Sequence, residues 1–203
     1  MIPDAGGTWV KVCGITREDD AVLTGEAGAD AIGINLLEQS PRRVDESTAR
    51  DIAAASSVPA IVLIEHVPAV HVAVYLDGLG VDGVQAYGPD ARSVAATAAE
   101  AGFIAVLPTT VSDVLDLPVG VIPLFDTPDP RLRGGTGRVF DWTRIDKDVG
   151  RFVLAGGLGP DNVADAIRVT GAWGVDASSR LESEVGVKDL GKVTAFVREA
   201  KQA

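Results

Sequence analysis

The sequence of 203 residues is poor in the side chains that build disulfides and metal sites. Its one cysteine, Cys13, excludes an internal disulfide and fits the reducing conditions of a cytoplasm. The two histidines, His66 and His71, lie far from that cysteine and do not give the spacing of metal ligands. We therefore expect neither a disulfide framework nor a bound metal.

Basic and aromatic residues are also scarce. Lysine and arginine number 18 against 29 acidic residues, so the formal net charge is −11, and aromatic residues make up 5% of the chain. Nucleic-acid binding favours basic surfaces and stacking rings, and this composition therefore argues against a nucleic-acid partner. A phosphorylated ligand would have to bind through local backbone N–H groups and helix N-termini, because the overall charge repels it.

Long hydrophobic runs are missing as well. The apolar run at residues 60–64 stops at Glu65, far short of the ~20 residues that a membrane-spanning helix needs. Residues 1–8 are too short and too polar for a signal peptide. With 46% hydrophobic residues the chain can still bury a large core, and its length fits one domain over residues 1–203. We expect a cytoplasmic protein that does not contact membranes.

The sequence does contain a short apolar run, a turn and a helix-like stretch, repeated eight times. The runs are rich in valine and isoleucine and are continuously apolar, as in parallel strands buried on both faces. We predict strands over residues 9–15, 30–36, 60–65, 84–87, 103–107, 120–125, 152–155 and 174–176.

The segments between these runs carry helix signals. Thr16 is predicted to cap a helix over residues 20–27, and Pro160 to lie in the first turn of a later helix. A last helix is predicted to start near Asp189 and to place Leu190 on its buried face.

Strands that alternate with helices imply a parallel sheet with right-handed crossovers. Eight such units in 203 residues favour a single-domain α/β protein, a closed (β/α)8 TIM barrel. An open sheet of the flavodoxin or Rossmann type is the alternative, but the glycine-rich fingerprint expected after its first strand is missing.

Candidate catalytic residues follow two of the predicted strands, at the end of the barrel where active sites of this fold lie. Cys13 ends strand one and Asp126 ends strand six, and a thiolate with a carboxyl group is a workable base and acid pair. As alternatives, Cys13 is a small buried hydrophobe, and Asp126 is a turn carboxylate before Pro128.

A phosphate site is predicted after strands seven and eight, the usual phosphate-binding region of such barrels. Strand seven leads into Gly156 and Gly157, whose backbone N–H groups can approach an anion closely. Strand eight leads through Asp176 to Ser178 and Ser179, whose hydroxyls add donors. The alternative for the glycine pair is an ordinary tight turn.

Two further segments could contact a substrate. Arg42 and Arg43 follow strand two, where a guanidinium group could bind a carboxylate of the substrate. The alternative is a solvated pair of arginines beside acidic residues. The loop over residues 131–137 combines arginines with glycines and could close over a ligand, or else be an ordinary surface loop.

Six motifs then follow one another in an order that resembles the phosphoribosylanthranilate isomerase family nearly end to end. They are KVCGIT at residues 11–16, SPR at 40–42, GGTG at 134–137 with FDW at 140–142, LAGGL at 154–158, GVDASS at 174–179, and Glu182 with GVKD at 186–189.

This resemblance implies an Amadori rearrangement in tryptophan biosynthesis, without a cofactor, by a monomer or homodimer. N-(5-phosphoribosyl)anthranilate would become 1-(o-carboxyphenylamino)-1-deoxyribulose 5-phosphate. Asp126 would be the general acid that opens the ribose ring, Cys13 the general base at C2′, and Arg42 the ligand of the anthranilate carboxylate. The other substrate-binding residues would be Gly156, Gly157, Asp176, Ser178, Ser179 and Arg180.

The sequence departs from the family pattern at several points near the expected substrate. Residues 34–37, which include Asn35, are aliphatic or amide where the family has aromatic residues. Tyr87 replaces a histidine after strand four, and Arg180 replaces a glycine beside the phosphate loop. Two alternatives therefore stay open: an isomerase of another phosphoribosyl amine, and a silent barrel that binds a phosphorylated metabolite. The sister isomerase of histidine biosynthesis uses two aspartates, and Cys13 argues against it.

Overall fold

The computed structural model describes residues 7–110, 113–126 and 150–203, and in it eight parallel strands close into a barrel. Each strand pairs with the next along the chain, and β8 returns to pair with β1. This confirms the predicted TIM barrel. The strands are β1 (Trp9–Ile15), β2 (Ala31–Asn35), β3 (Ala60–Ile64), β4 (Gly83–Ala86), β5 (Ile104–Pro108), β6 (Val121–Phe125), β7 (Val153–Leu154) and β8 (Gly174–Ala177).

Helices separate most of the strands. In the described residues they are α1 (Glu18–Glu26), α2 (Glu46–Ala55), α3 (Val72–Leu79), α4 (Ala91–Glu100), α5 (Val163–Thr170) and α6 (Leu190–Lys201). A short 3₁₀ turn, Val114–Asp116, follows β5, and the predicted loop at 131–137 lies outside the described residues. None of the helices in these ranges is long and apolar enough to cross a bilayer.

Alternation along each strand sorts the side chains into two layers. In β1, Val10 and Val12 join the large cluster between strands and helices, whereas Trp9 joins the smaller cluster inside the barrel. Each aliphatic side chain buried in these layers contributes about 1.5–3 kcal/mol to folding. Lys11 and Cys13 share the inward direction of Trp9, because residues two apart lie on one face. The strand thus places two reactive side chains inside the barrel, toward its carboxyl end.

The predicted cap of α1 is wrong. Arg17 occupies the position before that helix and makes no capping bond through its side chain. Thr16 instead donates its hydroxyl proton to the carbonyl oxygen of Gly186 at 2.5 Å. Gly186 lies in the turn of a hairpin formed by β9 (Glu182–Glu184) and β10 (Val187–Lys188), so a tertiary contact replaces the local one.

Two smaller helix predictions are also wrong. Pro160 lies in a turn that precedes α5, which begins at Val163. Leu190 is 45% exposed because it starts the first turn of α6 on the outer side, while Val193 of the same helix is buried. Asp189 does begin that helix, since its carboxylate accepts a bond from the backbone N–H of Lys192.

Candidate active site

A cavity opens at the carboxyl ends of the barrel strands and encloses about 1050 Å³, counting solvent at its mouth. Pockets of this size hold small molecules of a few hundred daltons. The predicted site residues that line it are Cys13, Arg42, Asp126, Gly156, Gly157, Asp176, Ser178 and Ser179. Arg180 lies behind the loops rather than in the lining. The structure therefore brings almost the whole predicted set together.

Cys13 lies buried on β1, opposite Gly33 of β2. A Cβ atom at position 33 would be 2.7 Å from the thiol sulfur and 3.1 Å from Cε of Lys11. Any side chain larger than hydrogen would displace one of them. The glycine thus allows the thiol of Cys13 and the amine end of Lys11 to meet above it.

Lys11 is fully buried and joins three strands of the barrel. Its Nζ donates to Oδ2 of Asp176 on β8 at 2.7 Å and to Oε1 of Gln85 on β4 at 3.1 Å. Burial alone would lower the pKa of Lys11, but the Asp176 carboxylate and the Cys13 thiolate outweigh it, and the pKa is raised. Lys11 is therefore a fixed positive charge beside the candidate base.

The thiol of Cys13 experiences opposing influences. Burial raises its pKa, the ammonium groups of Lys11 and Lys188 lower it, and the negative charge of Asp176 raises it further. The net direction is upward, so the thiol form dominates at neutral pH. A positively charged ligand next to the sulfur would favour the thiolate.

Asp176 offers one carboxylate oxygen to a ligand. Its Oδ2 is held by Lys11, whereas Oδ1 is buried and has no hydrogen-bond partner within the described part of the chain. A buried acceptor without a partner costs about 1–3 kcal/mol. Because Asp176 lines the cavity, a hydroxyl group of a bound molecule can supply the missing bond.

Arg42 is held by an acidic partner that the sequence analysis did not assign. Its Nε and Nη2 donate to the two carboxylate oxygens of Glu182 at 2.6 and 2.7 Å, and Lys188 Nζ donates to Oε1 at 2.9 Å. Burial would raise the pKa of Glu182, but the two cations outweigh it and the pKa is lowered. Arg42 is thereby fixed in orientation, and among the residues that the structure describes no hydrogen bond occupies its Nη1, while the adjacent Arg43 is exposed.

The two loops of the predicted phosphate site are neighbours. Leu154 of β7 pairs with Val175 of β8, so the glycine pair and the serine pair follow adjacent strands and line the same cavity. Gly156 and Gly157 have φ angles of 88° and 66°, a left-handed conformation that glycine adopts without strain. The geometry suits an anion held by backbone N–H groups from one loop and hydroxyls from the other.

Arg180 connects these loops from behind. Its Nη1 donates to the carbonyl oxygen of Gly157 at 2.9 Å, and its Nη2 donates to both carboxylate oxygens of Asp161 at 2.7 Å. Asn162 adds a second bond to the same Gly157 oxygen at 3.0 Å. The guanidinium thus ties the loop after β8 to the loop after β7.

An apolar wall completes the cavity on the side of β2, β3 and β4. Leu37, Leu63 and Cys13 form a small cluster against which the ring of Tyr87 packs. Asn35 shapes the turn before Leu37, because its Oδ1 accepts a bond from the Leu37 backbone N–H at 2.9 Å. Asp126, at the end of β6, lines the same cavity and is half-buried.

Four polar residues of the site were not predicted as functional: Lys11, Gln85, Glu182 and Lys188. A signal for Lys11 was available, since it interrupts an otherwise apolar strand and lies two residues before Cys13, on the same face. A lysine at such a position needs a buried acidic partner. Glu182 and Lys188 belong to the last of the six motifs, but their contacts depend on the β9–β10 hairpin, which was not predicted.

Comparison with known proteins agrees with this geometry. Residues 10–199 match the family model described as N-(5'phosphoribosyl)anthranilate (PRA) isomerase. An N-(5'-phosphoribosyl)anthranilate isomerase of Neisseria gonorrhoeae is 37% identical over 199 residues, which cover 95% of this chain and 96% of that protein. The corresponding protein of Hahella chejuensis is 36% identical over 93% of this chain and 92% of its own length.

Solved structures give the same result. A phosphoribosyl anthranilate isomerase of Thermotoga maritima superimposes with a TM-score of 0.85 and 29% identity, covering 97% of this chain and 100% of that one. Another, in complex with reduced 1-(o-carboxyphenylamino)-1-deoxyribulose 5-phosphate, superimposes with a TM-score of 0.80 and 27% identity over the same shares. The chain belongs to the N-(5'-phosphoribosyl)anthranilate isomerase family.

Proposed function

We propose that the protein converts N-(5'-phosphoribosyl)anthranilate to 1-(o-carboxyphenylamino)-1-deoxyribulose 5-phosphate in tryptophan biosynthesis, within the cytoplasm, as a monomer or homodimer. The observation that carries the proposal is the shared lining of one cavity. A thiol on β1, a carboxyl group after β6 and a pair of anion-binding loops after β7 and β8 all face the same space. An isomerisation that moves protons along a phosphorylated sugar needs these three parts together.

The first step assigned to the site is ring opening. Asp126 donates a proton to the ribose ring oxygen, the bond between that oxygen and C1′ breaks, and the nitrogen lone pair forms a C1′=N iminium. This requires Asp126 to be protonated when substrate is bound, which the negative charge of the substrate favours. The iminium that results carries a positive charge.

The second step uses Cys13 as general base. The thiolate removes the proton on C2′, the electron pair forms a C1′=C2′ bond, and the iminium electrons return to nitrogen. The resulting enolamine becomes the ketone when C1′ gains a proton and the C2′ hydroxyl loses one. No electron leaves the substrate, so the reaction needs no redox partner. Lys11 stabilises the thiolate from behind, and the iminium does so from the substrate side.

Substrate binding is assigned to the remaining residues of the cavity. Backbone N–H groups of Gly156 and Gly157 and the hydroxyls of Ser178 and Ser179 hold the phosphate. Arg42 offers Nη1 to the anthranilate carboxylate, since Glu182 already occupies its other edge. Oδ1 of Asp176, which has no partner in the described ranges, accepts a bond from a sugar hydroxyl. Arg180 supports the phosphate by fixing the loop of Gly157 rather than by direct contact.

The experiment is a fluorescence assay of the purified protein with freshly formed phosphoribosylanthranilate. We expect the fluorescence of the anthranilate adduct to disappear at a rate proportional to enzyme concentration. Because the product is an isomer of the substrate and has the same mass, it is then identified by its conversion with the next enzyme of the pathway. Wild-type protein that binds the compound without converting it would contradict the proposal and favour a silent phosphate-binding barrel.

A second candidate is an isomerase of another phosphoribosyl amine. The observation in its favour is the aliphatic wall formed by Leu37 and Leu63, where the family pattern has aromatic residues after β2. The aminoaldose of histidine biosynthesis is the natural comparison substrate. We expect its kcat/KM to be lower than that of phosphoribosylanthranilate, and the reverse order would select this candidate.

A further inference from the structure

Lys11 fixes the direction of a hydrogen-bond chain that ends at Tyr87. An ammonium group only donates, so the oxygen of the Gln85 amide must face Lys11, at 3.1 Å. The nitrogen of the same amide is therefore turned to Tyr87 and donates to its phenolic oxygen at 2.7 Å. An amide N–H group cannot accept, so the Tyr87 oxygen is the acceptor in this bond. The phenolic proton must then point away from Gln85.

The surroundings of Tyr87 show where that proton is available. Tyr87 lines the cavity, and its ring packs against Cys13, Leu37 and Leu63. Among the described residues no acceptor is bonded to its proton. Burial raises the pKa of Tyr87 well above its ordinary value, and the charges of Cys13, Asp126 and Asp176 act in the same direction. The hydroxyl therefore keeps its proton throughout the range in which the enzyme works.

We propose that Tyr87 donates a hydrogen bond to the substrate oxygen on C2′, the carbon that Cys13 deprotonates. This inference rests on the proposed function and adds a catalytic residue to it. Tyr87 packs against the cluster that contains Cys13 and lines the same cavity, so a substrate whose C2′ faces the thiol is expected to bring its C2′ oxygen close to the phenol. Tyr87 gives up no proton: it donates the same bond before and after the oxygen changes from hydroxyl to carbonyl.

The bond strengthens as the reaction proceeds. The C2′ oxygen is a neutral hydroxyl in the substrate and becomes a carbonyl oxygen as its proton leaves. A fixed donor aimed at an oxygen that gains negative charge stabilises the transition state more than the ground state. Removal of the donor should therefore reduce kcat more than it raises KM.

The first test is Tyr87→Phe, which keeps the ring and its packing. We expect kcat with phosphoribosylanthranilate to fall about 10- to 100-fold with KM within about threefold, and the melting temperature to fall by only a few degrees, because the buried Gln85 amide loses its acceptor. A kcat within twofold of wild type would overturn the inference, and so would a loss confined to KM. If Tyr87→Phe only shifted the part of the pH profile that reports the ionisation of Asp126, the phenolic proton would be shown to bond to Asp126 instead of the substrate. That result would also overturn the inference.

The second test reverses the direction of the chain. A carboxylate at position 85 accepts from both Lys11 and Tyr87, so Gln85→Glu should turn the phenolic proton away from the cavity. We expect a loss of kcat similar to that of Tyr87→Phe, and no further loss in the double variant, because both changes remove one bond. Gln85→Met leaves the proton free to face the substrate and should lose less activity than Gln85→Glu.

Two outcomes separate this inference from the proposed function. If wild-type protein does not convert phosphoribosylanthranilate, the proposed function fails before the variants are compared. If wild type converts it but the losses of Tyr87→Phe and Gln85→Glu multiply in the double variant, the function stands and the inference falls.

Discussion

Cys13 lies in surroundings that favour its protonated form, and this has a consequence for the pH dependence of activity. Its pKa is raised chiefly by burial, while Lys11 and Lys188 oppose the increase only in part. Because the pKa of Cys13 is raised, the thiolate is the minor form of this side chain at pH 7, and its fraction grows as the pH rises. The role of general base requires the thiolate.

We therefore expect kcat, which reports the substrate complex in which Asp126 holds its proton, to rise by up to about tenfold per pH unit as the thiolate fraction grows, with a plateau above the pKa of Cys13. The substrate phosphate is almost fully ionised above about pH 7.5, so it does not contribute to this rise. The measurement is kcat at several pH values, with the residual activity of Cys13→Ser as control. A flat profile would show that another group limits the rate or that the thiolate is already formed.

At the scale of elements, the junction of β1 and β2 controls how closely Lys11 and Cys13 approach each other. A methyl group at Gly33 would meet the sulfur at 2.7 Å and Cα of Cys13 at 3.1 Å. We expect Gly33→Ala to destabilise the fold by about 1–3 kcal/mol and to lower kcat by about tenfold or more, because the thiol is displaced. Urea unfolding and steady-state kinetics measure the two effects.

Gly78 provides the control for that substitution. It lies inside α3 (Val72–Leu79) with open space around a Cβ atom. Gly78→Ala should stabilise the protein by up to about 1 kcal/mol and leave kcat unchanged. Equal effects of the two substitutions on kcat would refute the role assigned to Gly33.

The loops after β7 and β8 are coupled through Arg180. We expect Arg180→Gly to raise both KM and the inhibition constant of inorganic phosphate by about 3- to 10-fold, with kcat nearly unchanged, because the loop must be ordered by the ligand. Asp161→Asn removes the acidic partner and should weaken phosphate binding in the same direction. If Arg180 contacted phosphate directly, Asp161→Asn would free it and tighten binding instead.

The elements also show what could be predicted from the sequence. Continuous apolar runs identified all eight barrel strands to within a few residues, because each strand is buried on both faces. The strand ends then placed Cys13, Asp126 and the two loops correctly, since barrel topology alone brings those positions together. The pattern of apolar residues along the sequence was therefore sufficient to predict the strands and the positions that follow them.

Contacts between distant residues were not predicted. Lys11 and Asp176 are separated by 165 positions, and Arg42 and Glu182 by 140. Both pairs depend on strand register or on the β9–β10 hairpin, neither of which has a local sequence signal. The same reason explains the error at Thr16, whose hydroxyl bonds to Gly186 across the chain instead of capping α1.

At the scale of the whole molecule, the net charge of −11 opposes the binding of an anionic substrate. The Debye length falls from ~30 Å at 0.01 M salt to ~10 Å at 0.1 M, so added salt screens the repulsion at long range. We expect sodium chloride to raise kcat/KM by about two- to threefold over this interval. Sodium phosphate at equal ionic strength should instead lower it by competing for the loops. A decrease of kcat/KM with sodium chloride would mean that electrostatic attraction between substrate and protein, and not repulsion, governs their association.

The proposed mechanism depends most on Cys13 and Asp126 acting as base and acid within one cavity. The direct measurement is the kcat of Cys13→Ser and of Asp126→Asn beside wild type, with phosphoribosylanthranilate and with folding checked by circular dichroism. We expect each variant to bind the substrate but to lose about 10²–10⁴-fold in kcat, the usual effect of removing a general acid or base. A kcat within a few-fold of wild type for either variant would contradict the assignment of that residue.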